Sequence, residues 1–166
     1  MPIKYDAYIS YQWDSKPLVL QLQKKLSDYN LNIYVDSLGI EPNTNRIRSD
    51  VSNILKETRY FICALTKSYC DTVNSSYLNA QEIHYAYTIK MPFIVLMLEE
   101  MNIVEIGNVN TLMNEYPRFN CYFKPQFLKE WTGPLLEAIL KKIKMEPQIA
   151  KKTKKNTGPI LTLDMF

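Results

Sequence analysis

A chain of 166 residues leaves room for one domain at ~150 residues per domain, and a fold of that size removes about 70% of the unfolded chain's surface from water. Apolar residues make up 46% and charged residues 22%, which excludes global disorder. The net charge of +3 conceals an asymmetry: seven of the 20 basic residues (Lys141, Lys142, Lys144, Lys151, Lys152, Lys154, Lys155) crowd into 141–155 against one acid, Glu146, leaving 13 basic and 16 acidic residues elsewhere. A basic end on a mildly acidic body does not resemble a nucleic-acid-binding domain. It reads as a solvated face or frayed end, with contact to an anionic surface as the other reading. No apolar run approaches the ~20 residues of a membrane span, and residues 1–10 (MPIKYDAYIS) hold no signal-peptide apolar stretch. Cys63, Cys70 and Cys121 are odd in number and form no CxxC pair, so neither a disulfide framework nor a zinc knuckle is expected, and the compartment expected is the cytosol.

Five short apolar segments alternate with five longer segments of helical character. Residues 4–10 (KYDAYIS) read as a strand with Tyr5, Ala7 and Ile9 on one face. Residues 15–29 read as a helix on the spacing of Leu18, Leu22 and Leu26, with Asp14 or Ser15 as its cap and Pro17 in its first turn. A strand at 31–35 (LNIYV) leads into the loop DSLGIEPNTN, which has no periodicity, and then into a helix from about 46 to 57. The strands at 59–66 (RYFICALT) and 92–98 (PFIVLML) are continuously apolar, as parallel strands covered on both faces are. Between them Ser76 opens a helix to about Ile89. A short helix near 109–115, a strand at 118–123 and an amphipathic helix at 126–143 complete the globular part, with 1–145 as the domain and 146–166 as a basic, flexible tail.

This alternation predicts an α/β fold, a flavodoxin-like doubly wound five-stranded parallel sheet in the order 2-1-3-4-5 with helices on both faces. Ligands of such sheets bind beyond the carboxyl ends of the strands, near the switch in strand order. That edge collects Tyr11, Gln12 and Trp13, the loop from Asp36 to Asn45, and Thr66 to Ser76. Three familiar occupants of the fold fail there. SYQWD is too bulky for a flavin phosphate loop, four glycines supply no GxGxxG, and Ser10-Tyr11 and Thr66 replace the acids of a two-component receiver, although Lys124-Pro125 imitates its lysine.

Among candidate residues Glu82 stands out. It lies in the second turn of the helix after the third strand, inside a stripe formed by Leu78, Tyr85, Ala86 and Ile89. A carboxylate there is either a reactive group at the cleft or a stripe-edge glutamate whose head reaches water. His84, the single histidine, points to another side of the helix, so a Glu–His dyad is not expected. Trp13 either stacks on a planar ligand or covers the end of the sheet. Asp36 either fixes its loop or touches a ligand.

YDAYISYQWDS at 5–15 resembles the first box of the Toll/interleukin receptor homology (TIR) domain. The stretch NIYVDSLGIEPNTNRIRSDVSNILKETRYFICALTKSYC is similar to that family's second strand, BB loop, next helix and third strand. SSYLNAQEIHYAYTIKMPFIVLMLE is similar to its S-x-x-C-x-x-E helix and fourth strand. The likeness spans about 4–145, and order and spacing carry it more than any one box. Asn79 stands where the motif has cysteine and Leu78 where an aromatic residue is usual. The BB loop has Gly39 and Pro42 in place of the vertebrate receptors' Arg-Asp and Pro-Gly.

TIR domains either assemble innate immune signalling complexes through the BB loop and helices, or cleave NAD+ between nicotinamide and ribose to release ADP-ribose or a cyclic isomer. The resemblance implies the second activity here, with Glu82 as the catalytic carboxylate and Ser76 matching the motif's serine. Tyr11, Gln12, Trp13, Asp36 and Glu41, with Leu78 and Asn79, are implied in substrate binding, and Gly39, Ile40 and Pro42 in self-association. NAD+ is implied as substrate, other TIR domains as homo-oligomeric partners, and no metal or cofactor. The non-enzymatic assembly module is the alternative reading.

Overall fold

Period-two alternation along the strands decides which helices cover which face of the sheet. The computed structural model describes residues 2–36, 49–74, 78–121, 131 and 133–145. In chain order these form β1 (Tyr5–Ser10), α1 (Lys16–Ser27), β2 (Ile33–Val35), α2 (Ser49–Lys56), β3 (Thr58–Leu65), α3 (Lys67–Asn74), α4 (Leu78–Thr88), β4 (Phe93–Met97), α5 (Ile103–Ile106), α6 (Asn110–Glu115), β5 (Arg118–Asn120) and α7 (Gly133–Lys144). Short 3-10 turns at Trp13–Ser15 and Gly107–Val109 lead into α1 and α6. All strand pairs are parallel, in the order β2-β1-β3-β4-β5 that the sequence predicts.

One face of the sheet presents Ala7 and Ile9 of β1, Tyr60, Ile62 and Ala64 of β3, and Ile94 and Leu96 of β4. They meet Val19, Leu22 and Leu26 of α1 and Leu136, Ile139, Leu140 and Ile143 of α7. The other face presents Tyr8, Phe61, Cys63, Leu65, Phe93, Val95 and Met97, buried against α2, α3, α4 and the α5–α6 segment. Across this second face runs an aromatic row set by register. Tyr8 is level with Tyr34 and with Phe61, and Phe61 with Phe93. The Tyr8 ring lies 5.5 Å from the rings of both Tyr34 and Phe61, stacked at 7° and 21°. Phe93 then continues the row to Tyr116 at 5.2 Å. Pairs of this kind add about 0.5–1.5 kcal/mol each beyond the area they bury.

Two long-range ties fasten α7 to the first face. Trp131, just before the helix and fully buried, donates its Nε1–H to the Leu18 carbonyl at 2.7 Å. Arg59 on β3 donates to the Ile143 carbonyl at 2.8 Å and to Asp6 Oδ1 at 3.1 Å, capping the helix's C-terminal end with a cation.

Several boundaries differ from the sequence expectation. Residues 67–74, expected as loop, form α3. Tyr69, Cys70 and Val73 are its buried stripe, and Thr66 caps it by accepting the Tyr69 N–H at 3.1 Å. Eight residues of polar and β-branched character carry too little periodicity to be seen in sequence. The described part of the last helix is Gly133–Lys144, with Trp131 outside it; residues 126–130 and 132 of the expected helix, and 146–166, the expected tail, lie outside the described residues. In α1 Val19, Leu22 and Leu26 are buried, and Leu18 packs partly buried against the same core.

Helices α1 and α4 end alike. The amide after each left-handed residue reaches back five positions, Leu31 to Leu26 at 3.3 Å and Met91 to Ala86 at 3.0 Å. The residue in the left-handed conformation is Asn30 (φ 64°) in the first case and Lys90 (φ 61°) in the second. A lysine there is strained at its Cβ, and Lys90 is exposed, so nothing offsets the strain. Lys90→Gly is therefore expected to stabilise the protein by about 0.5–1 kcal/mol after glycine's extra freedom in the unfolded chain is subtracted. A urea titration that shows no gain would contradict this.

Candidate active site

Parallel strands all deliver their carboxyl ends to one edge, and at the end of β1 the chain turns sharply through Gln12 into the 3-10 turn. Ser15 fixes that turn by donating to the Gln12 carbonyl from both its amide (2.9 Å) and its hydroxyl (3.1 Å). Asp14 accepts from Ser68 at 2.9 Å and so ties the turn to the start of α3. Tyr11 donates its hydroxyl to the Asp36 carbonyl at 2.7 Å, which pins the end of β2 beside the end of β1. These bonds frame a small cavity lined by Tyr8, Ile9, Ser10, Tyr11, Gln12, Trp13, Asp36 and Glu82.

Glu82 reaches this cavity from α4. It is 3% exposed, so the expectation of a glutamate whose head snorkels into water does not hold. The side chain turns inward with Ala86, one helical turn on, and meets β1. The Tyr8 hydroxyl donates to Glu82 Oε2, and the Ser10 hydroxyl donates to Oε1 at 2.7 Å. Ser10 also lies 2.7 Å from the Tyr69 hydroxyl of α3. A carboxylate can only accept, so Ser10 must give its proton to Glu82, which leaves its lone pair to accept from Tyr69. Three hydroxyls from two elements thus point their dipoles toward one buried charge.

The surrounding groups stay protonated. The Tyr8 hydroxyl is pushed well up by burial and then by the charge of Glu82 beside it. Tyr69 is raised well above the ordinary phenol range by burial, then by Cys63 and Glu82. Tyr11 is pushed up to about 12 by burial and by Asp36. Burial likewise raises the thiols of Cys63, Cys70 (to about 12) and Cys121.

Several residues singled out by sequence meet here. Glu82 forms the floor; Tyr11, Gln12, Trp13 and Asp36 line the walls and mouth. Trp13 is 57% exposed with Lys16 Nζ 4.3 Å above its ring, so it does not cover the sheet end as a core residue would. His84 is exposed on another side of α4. Gly39, Ile40, Glu41, Pro42 and Ser76 lie outside the described residues, as do the side chains of Leu78 and Asn79 at the start of α4. Tyr8, Ser10 and Tyr69 were not singled out. The legible trace was on β1, where Asp6, Tyr8 and Ser10 fall opposite Tyr5, Ala7 and Ile9 and give polar groups to a face that must be buried. Among the described residues no three His, Cys, Asp or Glu side chains cluster as metal ligands would, and no helix is long and apolar enough to cross a membrane.

The parallel sheet in this order, with its cavity at the β1 end and a carboxylate supplied by the helix that precedes β4, defines a flavodoxin-like α/β domain. A family model for the TIR domain matches residues 8–113, and the chain belongs to the TIR-domain family. It is similar in structure to the TIR domains of the activated Roq1 resistosome, which directly recognizes the pathogen effector XopQ, with a TM-score of 0.51 and 16% identity over 86% of each chain. It is also similar to the RPS4 and RRS1 TIR domain heterodimer, with a TM-score of 0.55 and 12% identity over 82% of this chain and 94% of that one. At such identities the likeness is one of fold. No curated protein sequence matches the chain.

Two outcomes follow from this geometry. Glu82→Ala leaves the hydroxyls of Tyr8 and Ser10 without their shared acceptor and opens a void; a loss of about 3 kcal/mol in chemical denaturation is expected, against about 1 kcal/mol for Glu82→Gln, which keeps one acceptor oxygen. The raised, buried thiols are expected to resist an aromatic disulfide reagent near neutral pH until the protein unfolds, when all three react. Reaction of one thiol in the native state would place it at the surface.

Proposed function

We propose that this TIR domain is an NAD+ nucleosidase with Glu82 as the catalytic carboxylate, acting in the cytoplasm in immune or cell-death type signalling and promoted by self-association. The observation that supports the reading is the deeply buried Glu82 carboxylate, oriented by hydroxyls, in the lining of the cavity at the switch in strand order. In the reaction the C1′–N bond breaks and its electron pair goes to the pyridinium nitrogen, so nicotinamide departs neutral and needs no acid to protonate it. Positive charge develops on C1′ and the ring oxygen. The carboxylate stabilises it directly or through the ribose hydroxyls, in the manner of glycoside cleavage. Water then adds to C1′ and loses a proton to give ADP-ribose, or the adenine closes onto C1′ to give a cyclic isomer. Neither step calls for a metal or cofactor.

We assign the nicotinamide riboside end to this cleft, with Gln12 and Asp36 as polar wall groups and the exposed ring of Trp13 as a stacking surface at its mouth. Glu41, Ser76, Leu78 and Asn79 belong to the same proposed substrate site, and Gly39, Ile40 and Pro42 to the proposed contact between copies.

One observation favours the second reading, a non-enzymatic module that assembles with other TIR domains. Both oxygens of Glu82 already accept hydroxyls inside the fold, as those of a purely structural carboxylate do. The RPS4 and RRS1 domains, which pair as a heterodimer, illustrate such assembly. Glu82→Gln separates the two, since it keeps shape and most of the stability but removes the charge. Nicotinamide release from NAD+, followed by NMR at high protein concentration, is expected from the wild type and lower by at least about 100-fold in Glu82→Gln. Assembly without release, with light scattering as the readout, would support the module; equal release from both proteins would remove Glu82 from the chemistry.

A further inference from the structure

The two oxygens of Glu82 are held in different ways. Resting on the reading of Glu82 as the reacting carboxylate, we propose that Tyr8 is a positioning residue that anchors Oε2 permanently, whereas Ser10 is an exchangeable cover on Oε1 that gives way to a ribose hydroxyl of NAD+.

Tyr8 cannot move aside. Its ring is fully buried, stacked at 5.5 Å between Tyr34 and Phe61 in a row that crosses neighbouring strands in register. Swinging the phenol off Oε2 would break both stacks. The hydroxyl also stays a donor, because burial and the adjacent Glu82 charge keep it protonated. Ser10 differs in each respect. Its side chain is small, and it already has a second partner in Tyr69 at 2.7 Å. Rotation of its O–H about the Cβ–Oγ bond withdraws the proton from Oε1 and turns it to Tyr69, whose own O–H then donates to the neighbouring Cys63 sulfur, so no donor is orphaned by the exchange. Ser10 and Glu82 both line the cavity, so a ligand there meets the hydroxyl that covers Oε1. A ribose hydroxyl donating to Oε1 then replaces one hydrogen bond with another, and Oε2 remains tethered throughout.

Among the described residues the titratable groups that bear on Glu82 include Tyr8 and Tyr11 from β1 and its end, Cys63 from β3 and Tyr69 from α3; Asp36 after β2 bears on Tyr8. The phenols and the thiol, all raised, are neutral through the working range. A hydroxyl donating to a carboxylate favours the charged form, and removing it moves the titration upward.

The test compares Tyr8→Phe and Ser10→Ala in the full chain, with folding checked by circular dichroism. In Tyr8→Phe, kcat for nicotinamide release is expected to fall about tenfold and the acid limb of its pH profile to move up by about one pH unit, the equivalent of one charge-assisted hydrogen bond. In Ser10→Ala the KM for NAD+ is expected to drop several-fold, because the substrate no longer displaces a hydroxyl. An activity-independent readout follows the Glu82 carboxyl by carbon-13 NMR, assigned with Glu82→Gln: the midpoint rises in both variants, and more in Tyr8→Phe. Equal rises, or a larger one in Ser10→Ala, overturn the asymmetry. So does a Ser10→Ala enzyme that loses kcat with its KM unchanged, a result that decides the matter even if Tyr8→Phe does not fold. A wild type that releases no nicotinamide refutes the nucleosidase reading, while unequal midpoints would still establish the fixed and the exchangeable oxygen.

Discussion

The contact between Glu82 and strand β1 joins the two halves of this domain's logic. A glutamate buried to this degree would be costly in an apolar helix–sheet interface without donors. Here Tyr8 and Ser10, two residues apart and so on one side of the strand, present hydroxyls to its two oxygens. The partner residues Ala7 and Ile9 point the other way, into the apolar layer beneath α1 and α7. One strand therefore carries an oily face and a hydroxyl-bearing face, and α4 is fixed over the second by a charge rather than by packing alone.

That arrangement is held from outside as well. The aromatic row from Tyr34 through Tyr8 to Phe61 and Phe93 sets the phenol's direction. The α3 helix contributes Tyr69 behind Ser10, and Thr66 with the Asp14–Ser68 bond keeps α3 against the β1 turn. The site is thus a small rigid cage on an edge that parallel topology made available.

Much of this was legible in the chain itself. The continuously apolar segments at 59–66 and 92–98 announced strands covered on both sides, and alternation with helical segments was enough for the sheet order. Glu82 could be singled out because a charge inside an apolar stripe demands a reason. What gave no signal were its partners. Hydroxyl residues on a strand look the same whether they face water or a carboxylate 70 residues away, and only the fold says which. The α3 helix was missed on similar grounds: tyrosine, cysteine and valine at helical spacing, diluted by Lys67, Ser68, Asp71 and Thr72, read as loop until the pairing of β3 with β4 requires something to fill that corner.

The sheet order has a consequence for how the molecule comes into being. Strand β1 is made before the other four strands, yet in the finished sheet it lies between β2 and β3, and the acceptor for its two hydroxyls arrives only with α4. A nascent chain that ends before Glu82 holds Tyr8 and Ser10 with no carboxylate to receive them, so the β1 end can settle only after β2, β3, α3 and the first turns of α4 have been made. The cage closes late, in the same event that docks α4, and the domain acquires its buried carboxylate and its final fold together.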